Sequence, residues 1–192
     1  MKPFNLSLLN LFTTKLIEES LKGSRKAQLK LYNAYCDAML TIAYRYVKDM
    51  DTARDVTQEA FIKAFSNLRR YDGTSSFGVW LKQIVIHQSI DCLRKRTFDL
   101  CLDQVPNLSV EIDDNWDVEE HLEVSHIKRA IDELPEKYAV VLKLYLMEGY
   151  DHEEISEILD VSVNASRTQL HRGKNMLKDN LKRTGYEMSH NR

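Results

Sequence analysis

Little in this sequence interrupts a helix: three prolines and six glycines are all that punctuate 192 residues. Long stretches carry apolar residues three and four apart with no sustained alternation of the strand kind, so the expected fold class is all-α. Cysteine is equally sparse. Cys36, Cys92 and Cys101 are odd in number, far apart and in no Cys-x-x-Cys pair, which excludes a disulfide framework or zinc knuckle and suits a reducing cytoplasm. No run of 18 apolar residues occurs, and the apolar N-terminal stretch is broken by Asn5, Ser7 and Asn10 without a small-residue cleavage site. The chain is therefore expected to be cytoplasmic, with no direct membrane insertion. Clustered metal ligands are missing too. His152-Glu153-Glu154 lacks the second histidine of a zinc-binding His-Glu-x-x-His, and no nucleophile–base spacing accompanies it. No metal, cofactor or enzymatic activity is expected. Net charge is almost absent: 27 Lys and Arg stand against 29 Asp and Glu, a sum that by itself argues against a nucleic-acid partner.

What is present is a soluble globular composition, 43 % apolar and 29 % charged, long enough for one domain or two small ones. The near-zero sum conceals four blocks. Residues 24–96 carry 13 basic against 7 acidic side chains. Residues 97–121 carry eight acidic side chains and no Lys or Arg; with Pro106, Asn107 and Ser109 breaking any periodicity, they read as a flexible acidic linker between two domains. Residues 122–160 hold 4 basic against 10 acidic groups, and residues 161–192 reverse this to 7 against 2.

In the first module the spacing predicts a helix from about Ser24 to Val47 that buries Leu31, Tyr35, Met39, Ile42 and Tyr46. A second, capped by Asp49 or Asp51, runs to about Leu68 and buries Ala53, Val56, Ala60, Ala64 and Leu68. A third begins near Ser76 and ends at Arg94-Lys95-Arg96. Beyond the linker, Asp117 with Glu120 makes a capping-box-like start for a helix reaching Glu133; Pro135 opens the next, which stops at Gly149.

From Tyr150 to Leu177 a short helix, a tight turn at Asp160-Val161 and a longer basic helix capped by Ser162 have helix-turn-helix spacing. Ile155, Leu159, Val161 and Leu170 are placed to pack the pair. Asn164, Arg167, Thr168, His171 and Arg172 are expected to point outward, with Lys174 and Lys178 further along for phosphates. Such a face suits a major groove, where Arg reads guanine edges and Asn reads adenine; a plain helical hairpin with a solvated face is the competing reading. Asp160 stands where the turn usually has glycine. Gly173 inside the helix costs about 1 kcal/mol against alanine, which close packing at that point would offset.

One face of the second helix holds Asp55, Gln58, Glu59, Ile62, Lys63 and Ser66. An isoleucine among polar groups suits a partner-docking stripe, although a solvated face also tolerates it. Next, Arg69, Arg70, Tyr71, a loop containing Ser75, and Phe77, Trp80, Lys82, His87, Arg94 and Lys95 interleave aromatics with cations. That mixture can stack unpaired bases while neutralising phosphates, each stacked base contributing about 1–3 kcal/mol. Phe77 and Trp80 equally fit a core at helical spacing.

The run Asp55-Val-Thr-Gln-Glu-Ala-Phe-Ile-Lys-Ala-Phe65, with Phe77-Gly-Val-Trp-Leu81, Ile84 to His87 and Asp91-Cys-Leu-Arg94, resembles region two of the extracytoplasmic-function (ECF) group of bacterial sigma factors. Leu134-Pro135-Glu-Lys-Tyr138, Gly149 to Leu159 and Ser166-Arg-Thr-Gln-Leu-His-Arg172 resemble region four. The resemblance covers residues 14–96 and 122–183, in the group's order, with residues 97–121 between. It implies a region-two helical bundle and a region-four helix-turn-helix in a non-catalytic subunit that recruits core RNA polymerase to promoters and helps open the duplex. It further implies that Asp55, Gln58, Glu59, Ile62 and Lys63 meet the clamp helices of the polymerase β′ subunit. By the same resemblance Arg69, Arg70, Tyr71, Ser75, Phe77, Trp80, Lys82, His87, Arg94 and Lys95 bind the minus-ten element, where a base is flipped out. Ser162, Asn164, Arg167, Thr168, His171, Arg172 and Lys174 would bind the minus-thirty-five element. Besides promoter DNA, the implied partners are the polymerase β flap and an anti-sigma factor. His87 stands where the group often has Asn, and Ser166 and Gln169 where many members have Val and Arg. His121, His126, His152 and His190 read as surface residues. The alternative function is a helix-turn-helix transcriptional regulator, which would need a receiver or ligand pocket upstream; residues 1–96 have no strand pattern.

Overall fold

The computed structural model describes residues 6–96 and 124–190, with side chains placed from 12 to 95 and from 124 to 183. Every regular element among them is helical, and the chain divides into two units, Met1–Cys101 and Leu102–Arg192.

The first unit is built from α1 (Leu6–Leu21), α2 (Arg25–Val47), α3 (Met50–Ser66), a 3₁₀ turn at Leu68–Arg70 and α4 (Phe77–Arg96). Local chemistry sets each boundary. Ser24 Oγ accepts from the Ala27 amide at the start of α2, and an Asp49 carboxylate oxygen accepts from the Thr52 amide, 2.9 Å away, at the start of α3, which satisfies donors left open by a first turn. Lys48, in the left-handed region at φ 58°, makes the sharp turn between them. Leu68 lies in the 3₁₀ turn and not in α3, because the Asn67 side-chain amide donates to the Lys63 carbonyl at 2.8 Å and closes the helix there. Ala53, Ala60 and Ala64 let neighbouring helices approach α3, and Leu31, Phe61, Phe77, Leu81 and Val85 fill the space around them. Each fully buried large apolar side chain contributes roughly 1.5–3 kcal/mol.

The second unit comprises α5 (Val124–Asp132), α6 (Glu136–Leu142) running into a π-helical stretch at Lys143–Glu148, α7 (His152–Leu159) and α8 (Val163–His190). The cap expected at Asp117 lies outside the described residues. Pro135 precedes α6, and Gly149, at φ +79°, ends the π-helical stretch. Asp151 and Glu154 form a reciprocal capping box at 2.8 and 2.9 Å, which fixes the start of α7. Asp160 takes the left-handed turn at φ 54°, and Ser162 Oγ accepts from the Ala165 amide at 3.1 Å. Ile155 and Leu170 are buried between the helices, with Leu159 and Val161 partly so. At Gly173 a Cβ would stand 3.1 Å from Leu142 Cδ1 and 3.3 Å from Tyr138 Cβ, so α8 crosses α6 at a distance that glycine permits.

Candidate functional site

The described residues place the candidates on three surfaces. The first is α3. Its inward positions, Ala53, Val56, Ala60 and Ala64, complete the bundle core, so the opposite face is free of packing duty. Asp55, Gln58, Glu59, Ile62 and Lys63 are all exposed there. Ile62 is 67 % exposed; an unburied branched aliphatic ringed by charge adds nothing to the core and is a candidate for burial against a partner.

The second surface surrounds the 71–75 loop. The Asp72 carboxylate accepts from the Thr74 amide at 2.9 Å and the Thr74 hydroxyl at 2.8 Å, and these bonds, the backbone one first, hold its pKa below the usual carboxylate range. Tyr71 Oη donates to the Ser75 carbonyl at 2.7 Å, and burial raises its pKa. The loop is thus shaped by its own hydrogen bonds. Phe77 does not belong to the exposed set: it is 2 % exposed and meets Tyr35 and Tyr71 edge-on at 5.3 and 5.8 Å. Its place in the core leaves it unable to stack a base. Trp80 is half-buried, 5.4 Å from Tyr71 between ring centroids, and Ser75 and Lys82 are half-buried as well. Arg69, Arg70, Arg94 and Lys95 are exposed cations at the ends of the turn and of α4. His87 is exposed on α4. Its imidazole pKa is lowered by partial desolvation and by the Lys63 and Arg94 charges, against an opposing pull from Asp91.

The third surface is α8. Ser162, Asn164, Arg167 and Arg172 are exposed, and His171 and Lys174 half-buried. Thr168 departs from the outward set: it is 8 % exposed, with its hydroxyl donating to the Asn164 carbonyl at 2.9 Å. A helical position one residue beyond Arg167 turns about 100°, which carries Thr168 toward the interior. Arg167 Nη2 lies 3.9 Å from Glu153 Oε1 on α7.

Sequence reasoning missed two features of this unit. His152, read as a surface residue, is half-buried, with Nδ1 2.9 Å from the Oγ of fully buried Ser166. The available signal was Ser166 itself, a hydroxyl in phase with the inward positions Leu170, Gly173 and Leu177, which demands a partner. Lys143 is 4 % exposed and pairs with Asp132 Oδ1 at 2.9 Å. The signal there was a lysine among Val140, Val141, Leu142 and Leu144. Among the described residues, no group of three or more His, Cys, Asp or Glu side chains could hold a metal, and no helix is long and apolar enough to cross a membrane.

A helical bundle with an exposed charged face and an aromatic–cationic loop, followed by a helix-turn-helix unit, is an arrangement of the nucleic-acid-binding class. Comparison sharpens this class. Residues 31–98 match the family Sigma-70 region 2, and residues 126–177 match Sigma-70, region 4. The chain is similar to the ECF RNA polymerase sigma factor SigW of Bacillus subtilis (strain 168), 31 % identical over 179 residues, covering 88 % of this chain and 96 % of SigW. It is also similar to the ECF RNA polymerase sigma-E factor of Escherichia coli (strain K12), 28 % identical over 176 residues, covering 83 % and 88 %. Among solved structures, the sigma factor RpoE from Bartonella quintana, in complex with the anti-sigma factor NepR, shares the fold. It matches with a TM-score of 0.50 at 21 % identity, over 80 % of this chain and 95 % of that one. The chain belongs to the ECF group of RNA polymerase sigma factors.

Proposed function

We propose that the three surfaces divide the work of a sigma factor: the α3 face docks on core polymerase, the 71–75 loop with its flanking cations captures the minus-ten element, and α8 reads the minus-thirty-five element. The activity itself follows from the family. The protein is a non-enzymatic initiation factor that binds core RNA polymerase and directs it to promoters. Its site of action is then the cytoplasm, and an anti-sigma factor is a further proposed partner, as is the polymerase β flap for the second unit. The domain boundaries belong to the same reading: region two at residues 14–96, an acidic linker at 97–121 and the region-four helix-turn-helix at 122–183.

One observation carries the division of labour. The exposed polar faces of α3 and α8 are used by neither unit's own core, and α3 lies within the region-two match while the start of α8 lies within the region-four match of one chain. With Phe77 buried and Thr168 turned inward, the stacking role falls to Tyr71 and Trp80 and base reading falls to Asn164, Arg167, His171 and Arg172. Extruding a base costs a few kcal/mol, which contacts in the loop must offset.

The test uses purified protein with core enzyme. Ile62→Asp and Glu59→Lys, both at exposed positions, are expected to weaken core binding about tenfold or more while leaving the thermal melt unchanged. Unaltered affinity in both variants would remove the α3 face from the proposal. Arg167→Ala is expected to relax promoter choice at one upstream base pair. Lys174→Ala should instead weaken binding uniformly and lower the salt slope by about one. Identical effects of the two across a promoter series would overturn the assignment of reader and phosphate contact.

A further inference from the structure

The proposed functions of the two units leave His152 and Ser166 without a role. On the first helix of the helix-turn-helix, His152 Nδ1 lies 2.9 Å from Ser166 Oγ. The imidazole stacks on Tyr145 of the π-helical stretch, centroids 5.3 Å apart at 29° between planes, and Lys174 Nζ stands 5.6 Å from the same tyrosine ring centroid. The residue after His152, Glu153, approaches the guanidinium of Arg167, the residue after Ser166, at 3.9 Å. Two consecutive residues of α7 therefore hold two consecutive residues of α8.

That register has a geometric consequence. Ser166 has no exposed surface, so its hydroxyl is closed off from water and from DNA. Successive residues leave a helix about 100° apart; fixing the direction of Ser166 toward α7 fixes the direction in which Arg167 leaves α8. A side chain that reads a base edge by paired hydrogen bonds must be held within about 0.5 Å and 10–20° of its working geometry. Packing by Ile155 and Leu170 alone resists separation of the helices, whereas a directional bond resists rotation of α8 about its own axis.

We propose that His152 is a positioning residue for upstream promoter reading: stacked on Tyr145 and bonded to Ser166, it sets the rotation of α8 at which Arg167 meets a base pair, while Glu153 holds the guanidinium when no DNA is bound. The inference rests on the reading of α8 as the promoter-reading helix. A residue that only packed would, when changed, weaken every promoter alike; a positioning residue changes the ratio between promoters.

The experiment uses holoenzyme reconstituted from core polymerase and the full chain, on a promoter pair that differs at the single base pair where Arg167→Ala loses discrimination. Ser166→Ala, which removes the hydroxyl from a buried site without adding volume, and His152→Phe, which keeps a ring for the Tyr145 stack, are expected to reduce that discrimination about tenfold. Binding to a promoter without the upstream element should stay within twofold. His152→Asn, whose amide can face Ser166 in place of Nδ1, should recover most of the loss. Full discrimination in both Ser166→Ala and His152→Phe, with Arg167→Ala defective, overturns the positioning role and leaves the α8 reading intact. Equal loss on both promoters overturns it as well, by assigning a packing role. If Arg167→Ala itself discriminates normally at every upstream base pair, the reading of α8 falls first, and this inference falls with it.

Discussion

In the α1–α4 unit the buried hydroxyls of Ser20, Thr57 and Ser89 each donate to the carbonyl four residues back in their own helix, at 2.7–2.8 Å. In the α5–α8 unit, Thr168 apart, the polar groups of the interior reach other elements. Lys143 pairs with Asp132 of α5, Ser166 with His152 of α7, and Asn180 donates to Glu133 Oε2 at 3.0 Å and to the Ala130 carbonyl at 3.4 Å. In the first unit Thr13 Oγ1 lies 3.5 Å from Tyr35 Oη of α2. A hydroxyl satisfied by its own helix keeps its partner in any packing; one satisfied across helices holds only in the native arrangement. The first unit is thus held by shape, the second by shape together with directional polar ties.

The sharpest way to break this contrast is Asp132→Ala, which leaves the Lys143 ammonium buried without its carboxylate. The second unit should lose on the order of 3 kcal/mol, seen as faster amide exchange in α5–α8 with α1–α4 unchanged. Equal loosening of both units would erase the distinction. Glycine provides the next comparison. Gly173→Ala must displace Leu142 and Tyr138 Cβ and is expected to cost about 1–2 kcal/mol. Gly78→Ala in α4 meets only the far edge of the half-buried Tyr35 ring at 3.0 Å, and the gain in helix propensity should leave it near neutral in a denaturant melt. Smaller again, Ser166→Ala should cost about 1 kcal/mol by orphaning His152 Nδ1, while Ser89→Ala should change stability by only a few tenths. The smallest effect is a pH dependence. The folded-state pKa of His152 is lowered, by burial first and then by Arg167 and Lys174, against Asp151 and Glu153. The unfolded chain therefore takes up the proton first. Stability of the second unit should fall as pH drops below about 6.5 and recover above it, and His152→Phe should flatten that slope in melts across pH.

The same contrast explains what could be read in advance. Helix starts at Ser24 and Asp49 and the left-handed Asp160 are local decisions, each legible as a residue type at a position, and Gly173 is legible because a glycine inside a helix marks a close approach even where its neighbours on α6 are remote in sequence. The exposed stripe of Asp55, Glu59 and Ile62 is legible for the same reason, since helical periodicity assigns its face. His152 was not, because its partners lie on other elements: Ser166, 14 residues on across a turn, and the Tyr145 ring. Nor was the widened turn at Lys143–Glu148: over six residues a π-helical period is too close to an α-helical one for apolar spacing to separate them. Phe77 was ambiguous in sequence because base stacking and core packing ask for the same side chain; only its burial among Tyr35, Tyr71 and Trp80 decides.

The tie between Asn180 and Ala130–Glu133 has a consequence for synthesis. The helices of the first unit pack largely against neighbours in the sequence, so the ribosome can release a bundle ready to fold once Arg96 has emerged. In the second unit, Ala130 of α5 leaves the exit tunnel 50 residues before Asn180, its partner on the helix that closes over it. Until α8 arrives, the apolar sides of α5 and α6 have no cover, and at roughly 5–20 residues per second that interval lasts several seconds. A transcript cut short before α8 would therefore yield a chain with a complete first unit and a second unit suited to chaperone capture or degradation.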